Sequence, residues 1–315
     1  SERIFEQIKG FGDYGFPESH AASFALLVYI SAWLKRHEPA AFYCGLLNSQ
    51  PMGFYSPSQL LQDARRHAIE VRPVDIHFSE WESTLETPTR QAEIASSQPA
   101  IRLGFQRIKG LKEDATLRII HARKKSPIKD IKDIARRARL NRGDLAKLTE
   151  GGAFKFLSGH RYQTHWEASG LLPGSPLFDS QSGTVAKNLP SYAEETPVTL
   201  PAPIEADDLR ADYTSLGLTL GRHPMAMLRE QIESPFQRCK TAKELDVINH
   251  GRFVQVAGIV TGRQRPSSAS GVLFLTLEDE TNNVNVVIWA RVLEAFRAAV
   301  VQGAYQFRGD VALRP

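Results

Sequence analysis

Apolar positions first recur along this chain at helical spacing. Pro17-Glu18-Ser19 is a breaker followed by a capping residue, and from Ala21 the positions Phe24, Leu27, Val28 and Leu34 fall on one helical face. A second helix is predicted from Ala40 to Leu47 behind Pro39, and a third from Ser58 to His67. Gln50-Pro51-Met52-Gly53 between them is turn chemistry. Val71 to Ile76 reads as a short extended run and residues 86–99 as a loop. A helical region follows Arg102 and runs to about Gly170. Residues 171–206 keep neither period and are rich in Pro, Ser, Thr and Gly, the composition of a linker. The helical pattern returns from Asp207 to Ser234, around Gly221-Arg222-His223-Pro224.

From Arg252 the period becomes two. Residues 253–260, 272–279 and 284–289 are predicted strands, with Glu280-Thr281-Asn282-Asn283 as a hairpin turn. A short helix is expected over Val292–Val301 and a fourth strand over residues 305–311. Strand, hairpin, helix, strand is the order of the OB-fold, a small barrel that binds oligonucleotides. A complete barrel takes a fifth strand, so with the sequence stopping at Pro315 an incomplete barrel is expected. The fold class is therefore α+β and multidomain: helices first, then an OB-fold.

Charge sharpens this picture. The net charge of +4 hides an asymmetry: Ile101–Arg161 holds 17 Lys and Arg against 6 Asp and Glu, an excess of 11. So one-sided an excess is a footprint for a polyanion rather than an ordinary solvated face. The stretch from Asp207 onward is close to charge-balanced. Hydrophobic residues make up 42% of the chain, enough for real cores, while a mean hydropathy of −0.29 and the absence of a long apolar run argue against a membrane span. With no initiator Met and no targeting segment, the chain reads as a cytoplasmic, excised piece. Cys44 and Cys239 lie far apart with no metal-ligand spacing around them, which fits a reducing compartment and no zinc.

Ile108-Lys109-Gly110-Leu111-Lys112 resembles the turn of a helix–hairpin–helix, in which backbone N–H groups at a helix N-terminus meet one phosphate. Gly110 fits, whereas Lys112 stands where a second glycine is usual, trading part of the cradle for a charge. Arg118, Arg123, Lys124 and Lys125 follow on the next helix, and Arg142 begins a degenerate second copy that runs through Gly151-Gly152-Ala153-Phe154. Lys109, Gly110, Lys112, Arg118, Arg123, Lys124, Lys125 and Arg142 are the candidate contacts to a DNA backbone, a grip that reads no bases. In the OB-fold, Phe253, Phe274 and Trp289 would stack single-stranded bases if they face outward, with Arg263 and Arg265 along the phosphates, or would fill the barrel core if they face inward. Leu216, Leu218, Leu220, Met225, Met227 and Leu228 offer either an adaptable partner contact or internal packing. No carboxylate pair has the context of a two-metal site: Glu113-Asp114, Asp207-Asp208 and Glu278-Asp279-Glu280 sit in a hairpin, beside the linker and at a turn. No catalytic residue and no metal ligand is assigned, and phosphate-loop, dinucleotide and nucleophile-elbow patterns are lacking.

Phe11-Gly-Asp-Tyr-Gly-Phe-Pro-Glu-Ser-His-Ala through Leu47, with Tyr43-Cys-Gly-Leu-Leu-Asn-Ser-Gln-Pro-Met-Gly-Phe-Tyr, resembles a signature block of the bacterial C-family DNA polymerases, most closely their error-prone branch. The resemblance implies fingers remnant over 1–100, tandem hairpins over 101–170, a linker over 171–206, a helical connector over 207–250 and the OB-fold over 251–315. It implies translesion synthesis and damage-induced mutagenesis, with Mg²⁺ held in a palm elsewhere in the parent and no cofactor in this piece. It places Ser19 and His20 near the incoming nucleotide, although Glu18 replaces the Lys of the replicative branch and leaves a helix cap and a packed imidazole as the alternative. Implied partners are duplex and single-stranded DNA and a Y-family-like companion that itself recruits the sliding clamp. Gly174-Ser-Pro-Leu-Phe178 keeps only the Leu-Phe end of a clamp peptide. The rival readings are a replicative alpha subunit and a non-catalytic DNA-binding scaffold.

Overall fold

The computed structural model describes residues 18–53, 55–88, 98–170, 198–231, 239–267, 271–302 and 306–310. The chain divides into two compact units, 1–220 and 221–315.

The first unit opens with α1 (Glu18–His37), apolar on nearly every side: Leu26, Val28 and Tyr29 are 62, 63 and 69% exposed. Its C-terminal end is anchored where Lys35 Nζ donates to Asp63 at 2.7 Å. Helix α2 (Pro39–Asn48) starts on a proline, whose missing N–H costs nothing in a first turn, and buries Ala40, Tyr43, Cys44 and Leu47 on one face. Helix α3 (Pro57–Arg66) is fixed by a capping box between Ser56 and Gln59. Three short strands follow, β1 (Val71–Arg72), β2 (Thr84–Glu86) and β3 (Ala100–Arg102), with β3 central, parallel to β1 and antiparallel to β2. The loop expected over 86–99 therefore begins on β2. The buried Arg102 donates to Glu86 at 2.9 Å, and Arg72 donates to the same carboxylate at 2.5 Å.

A 3₁₀ turn (Phe105–Arg107) leads into α4 (Glu113–Lys125), α5 (Ile131–Arg137), α6 (Arg142–Glu150), α7 (Lys155–Ser158), α8 (Arg161–Ser169) and α9 (Glu205–Ser215). Helix α4 buries Ala115, Thr116, Ile119, Ile120 and Ala122, the stripe of an amphipathic helix. Tyr43, Phe105, Ile108, Leu148, Phe154 and Leu218 belong to one core. Helices α2 and α3, the sheet and the hairpins thus share a single interior. The expected boundary between residues 100 and 101 falls inside β3, and residues 207–220 of the expected connector lie in this unit.

The second unit contains α10 (Pro224–Gln231), α11 (Ala242–Leu245), β4 (Phe253–Ala257), β5 (Ile259–Gln264), β6 (Leu273–Glu278), β7 (Asn283–Ile288), α12 (Ala290–Ala295), α13 (Arg297–Gln302) and β8 (Gln306–Asp310). β5, β6 and β7 form an antiparallel meander, and β4 pairs antiparallel with β8. Alternation decides which face is wet: Leu273, Leu275 and Leu277 are buried while Phe274 between them is exposed. The β6–β7 turn is built on the buried Asp279, whose Oδ1 accepts from the N–H groups of Thr281 at 2.7 Å and Asn282 at 2.9 Å. Helices with hairpins followed by a small barrel-like unit make this an α+β protein.

Candidate nucleic-acid interface

The first hairpin turn is carried by buried Ile108 and Leu111, which root it in the core and turn Lys109 and Gly110 outward. Gly110 has φ +78°, a left-handed conformation that L side chains rarely adopt. Helix α4 begins immediately after, with Lys112 at its N-cap position and no side-chain cap. Helices α5, α6 and α8 instead have their first amides capped by Asp130, Asn141 and His160. The first amides of a helix have no intrahelical acceptor, so α4 presents uncapped donors beside exposed Gly110 and Lys112. Glu113 and Asp114 add negative charge there, and Asp114 is offset by an ion pair with Arg118.

The second turn, residues 151–154, has the same left-handed glycine, Gly152 at φ +72°. It packs on the first: a Cβ placed on Gly151 would lie 2.7 Å from Ile108 Cδ1. Here, however, all four turn residues are buried. The cations flanking it are paired with α9. Arg161, 7% exposed, reaches Asp208 at 2.6 Å and Asp212 at 2.5 Å, and Lys155 reaches Asp208 at 3.3 Å. The Tyr162 hydroxyl donates to Asp207 at 3.0 Å, a hydrogen bond that holds its pKa above the ordinary tyrosine value.

Three of the eight residues assigned to the DNA backbone are engaged within the protein. Lys109 donates its N–H to Ser215 O at 2.8 Å and its ammonium to Tyr213 O at 3.0 Å, which caps the end of α9. Arg118 spans Asp114, Asp144 and the carbonyl of Ala138. Arg123, whose side chain is 11% exposed, donates to the carbonyls of Ile76, Phe78 and Ser79 and to Glu80. Carboxylates offset the charge of Arg118 and Arg123, whereas the carbonyl contact positions the Lys109 ammonium without neutralising it. Lys112, Lys124, Lys125 and Arg142 are exposed. Lys124 and Lys125 end a 13-residue helix that Lys112 immediately precedes, roughly 18 Å away at 1.5 Å rise per residue, so the two ends serve different phosphates.

In the second unit Phe253, Phe274 and Trp289 are 56, 40 and 66% exposed, which settles their orientation as outward. Phe274 lies across from Val287 on one side and Gln264 on the other, a row on the open face of the meander. Arg263 and Arg265 are exposed at the end of β5. Around Gly221, Leu216 and Leu218 are buried in the first unit and Met225 in the second, which is the internal packing weighed against a partner contact, and Leu228 is 43% exposed. Ser19 and His20 fall in the first turn of α1, with side chains outside the described residues, as is the Gly174–Phe178 peptide. Asp208 and Asp212 were legible only as an i, i+4 acidic pair on a helix, the one signal that could have matched them to hairpin cations. Among the described residues no group of three or more His, Cys, Asp or Glu side chains is arranged to hold a metal ion. Among them, too, no helix is long and apolar enough to cross a membrane.

An exposed hairpin turn and an aromatic-studded meander define a protein built from nucleic-acid-binding modules. A helix–hairpin–helix motif family matches residues 68–164, and a family of OB-fold nucleic acid binding domains matches residues 254–315. The chain is 50% identical over 318 residues to an error-prone DNA polymerase of Alkalilimnicola ehrlichii, covering 99% of this chain and 29% of that protein. It is 54% identical over 301 residues to an error-prone DNA polymerase of Teredinibacter turnerae, covering 96% and 28%, and 52% identical over 286 residues to one of Pseudomonas aeruginosa, covering 91% and 26%. Over nearly its whole length the chain is thus similar to part of error-prone DNA polymerases, the branch that the Phe16 block resembles, and it spans under a third of the length of these curated relatives.

Proposed function

We propose that this chain is the DNA-holding part of an error-prone DNA polymerase acting in translesion synthesis and damage-induced mutagenesis in the cytoplasm. The observation that carries the reading is the first hairpin: exposed Gly110 at φ +78°, exposed Lys112 and the uncapped start of α4 together offer backbone donors and charge to one phosphate. Exposed Lys124, Lys125 and Arg142 extend the contact along a duplex without reading bases. The open face with Phe274 and Trp289 stacks a single strand, and Arg263 and Arg265 follow its phosphates. The carboxylates that hold Mg²⁺ for nucleotidyl transfer are supplied by the part of the relatives' length that this chain does not span. A Y-family-like companion is proposed as the protein partner, with the clamp reached through it. Exposed Val292 and Phe296 support a contact on the helical side of the second unit. Binding of a fluorescent mixed-sequence duplex, followed by anisotropy across a salt series, tests the DNA reading. The slope of log K against log salt should be about −0.9 per phosphate contact and the same for unrelated sequences. A flat slope, or affinity confined to one sequence, would refute it.

A further inference from the structure

The two hairpin turns share a backbone conformation but not an environment. Gly110 is exposed, whereas Gly152 and its neighbours Gly151, Ala153 and Phe154 are buried. A Cβ on Gly152 would lie 3.4 Å from both Arg161 Nη2 and Lys155 Cε, so two cations crowd the place where a phosphate would approach. Both are already neutralised. Arg161 and Lys155 share Asp208, and Arg161 also holds Asp212, carboxylates one turn apart on the same face of α9. Arg161 is fixed further by donating Nε to Glu150 O at 3.0 Å. The far end of α9 closes on the first hairpin through the Lys109 N–H and ammonium. One acidic helix therefore brackets both turns.

We infer that the second hairpin takes the α9 carboxylates Asp208 and Asp212 as its resident anions in place of DNA phosphate. The tandem domain then grips duplex through its first hairpin only, and helix α9, beyond the span matched by the hairpin family, is an integral part of that domain. A buried turn cannot meet a phosphate without unpacking, and its flanking cations have no charge left to offer. An exposed turn with an uncapped helix start needs no rearrangement. This rests on the reading that the first hairpin meets DNA.

The test compares two lysines in the whole chain by the salt dependence of binding to a mixed-sequence duplex. Lys112→Ala should reduce the log–log slope by about 0.9, one phosphate contact. Lys155→Ala, at a side chain 37% exposed, should leave the slope unchanged. An equal reduction in Lys155→Ala would overturn the inference while leaving the DNA reading intact. No change in either variant would refute the DNA reading on which the inference stands. Asp208→Asn with Asp212→Asn gives an independent arm: a lower melting temperature with an unchanged slope is expected. A steeper slope with tighter duplex binding would show that the second hairpin accepts phosphate once α9 is discharged, and would also overturn the inference.

Discussion

Ile76 donates its backbone N–H to the carbonyl of Ala153 at 3.0 Å, which seats the loop after β1 on the second hairpin turn. The same loop is gripped from the other side by Arg123, a residue of the first hairpin's helix. The guanidinium thus ties the two hairpins together through residues 76–80. Arg123→Ala would leave the mostly buried carbonyls of that loop without donors, at about 1–3 kcal/mol for such a group. Urea denaturation of the variant should show that destabilisation with the salt slope of DNA binding retained. A normal midpoint with a flatter slope would return Arg123 to the phosphate contacts.

Glu86 supplies a pH dependence. Burial raises its pKa, but hydrogen bonds from Arg102 and Arg72 outweigh burial and bring it below the ordinary glutamate value. A depressed carboxylate stabilises the fold above its unfolded pKa of about 4.3, and that contribution is lost as pH falls through the folded value. Thermal stability should therefore fall as pH drops below about 4, and Glu86→Gln should be less stable near neutrality and show a weaker acid dependence. An unchanged acid limb in that variant would assign the effect to other carboxylates.

Phe274 and Trp289 provide the single-strand test. Alanine at either should weaken binding of an oligonucleotide by about 1–3 kcal/mol, the range for base–aromatic stacking, with duplex affinity much less affected. Both residues are exposed, so the variants should fold normally. Wild-type affinity in both would leave the meander face to another partner.

The chain alone should not extend a primer with Mg²⁺ and all four nucleotides, because it spans under a third of its relatives' length and, among its described residues, no group of three or more His, Cys, Asp or Glu side chains is arranged for a metal. Extension that tracks with the purified chain through successive columns would place an active site here.

Much of this was legible in the sequence where a period persists. Leu273, Phe274 and Leu275 alternate as written, but an apolar residue at every position left the side facing water to be decided by the structure, which exposes Phe274. Gly110 announces the first turn because few residues other than glycine tolerate its φ. The sheet of β1, β2 and β3 was not legible as a sheet: strands of two or three residues are too short to show a period, and their partners lie far apart in sequence. The roles of Lys109, Arg118 and Arg123 were hidden for a different reason. Charge in a sequence shows how much positive potential a segment carries, but not whether each cation faces solvent or a carbonyl. The excess of 11 was real, yet part of it is consumed by carboxylates outside the segment, Glu80, Asp208 and Asp212.

The central claim is that the exposed cations of the hairpin region neutralise duplex phosphates. Joint replacement of Lys112, Lys124, Lys125 and Arg142 by Ala, none of them buried, should preserve the melting temperature. It should flatten the log–log salt slope of duplex binding by about 0.9 for each phosphate no longer neutralised. A folded variant with the wild-type slope would contradict the account.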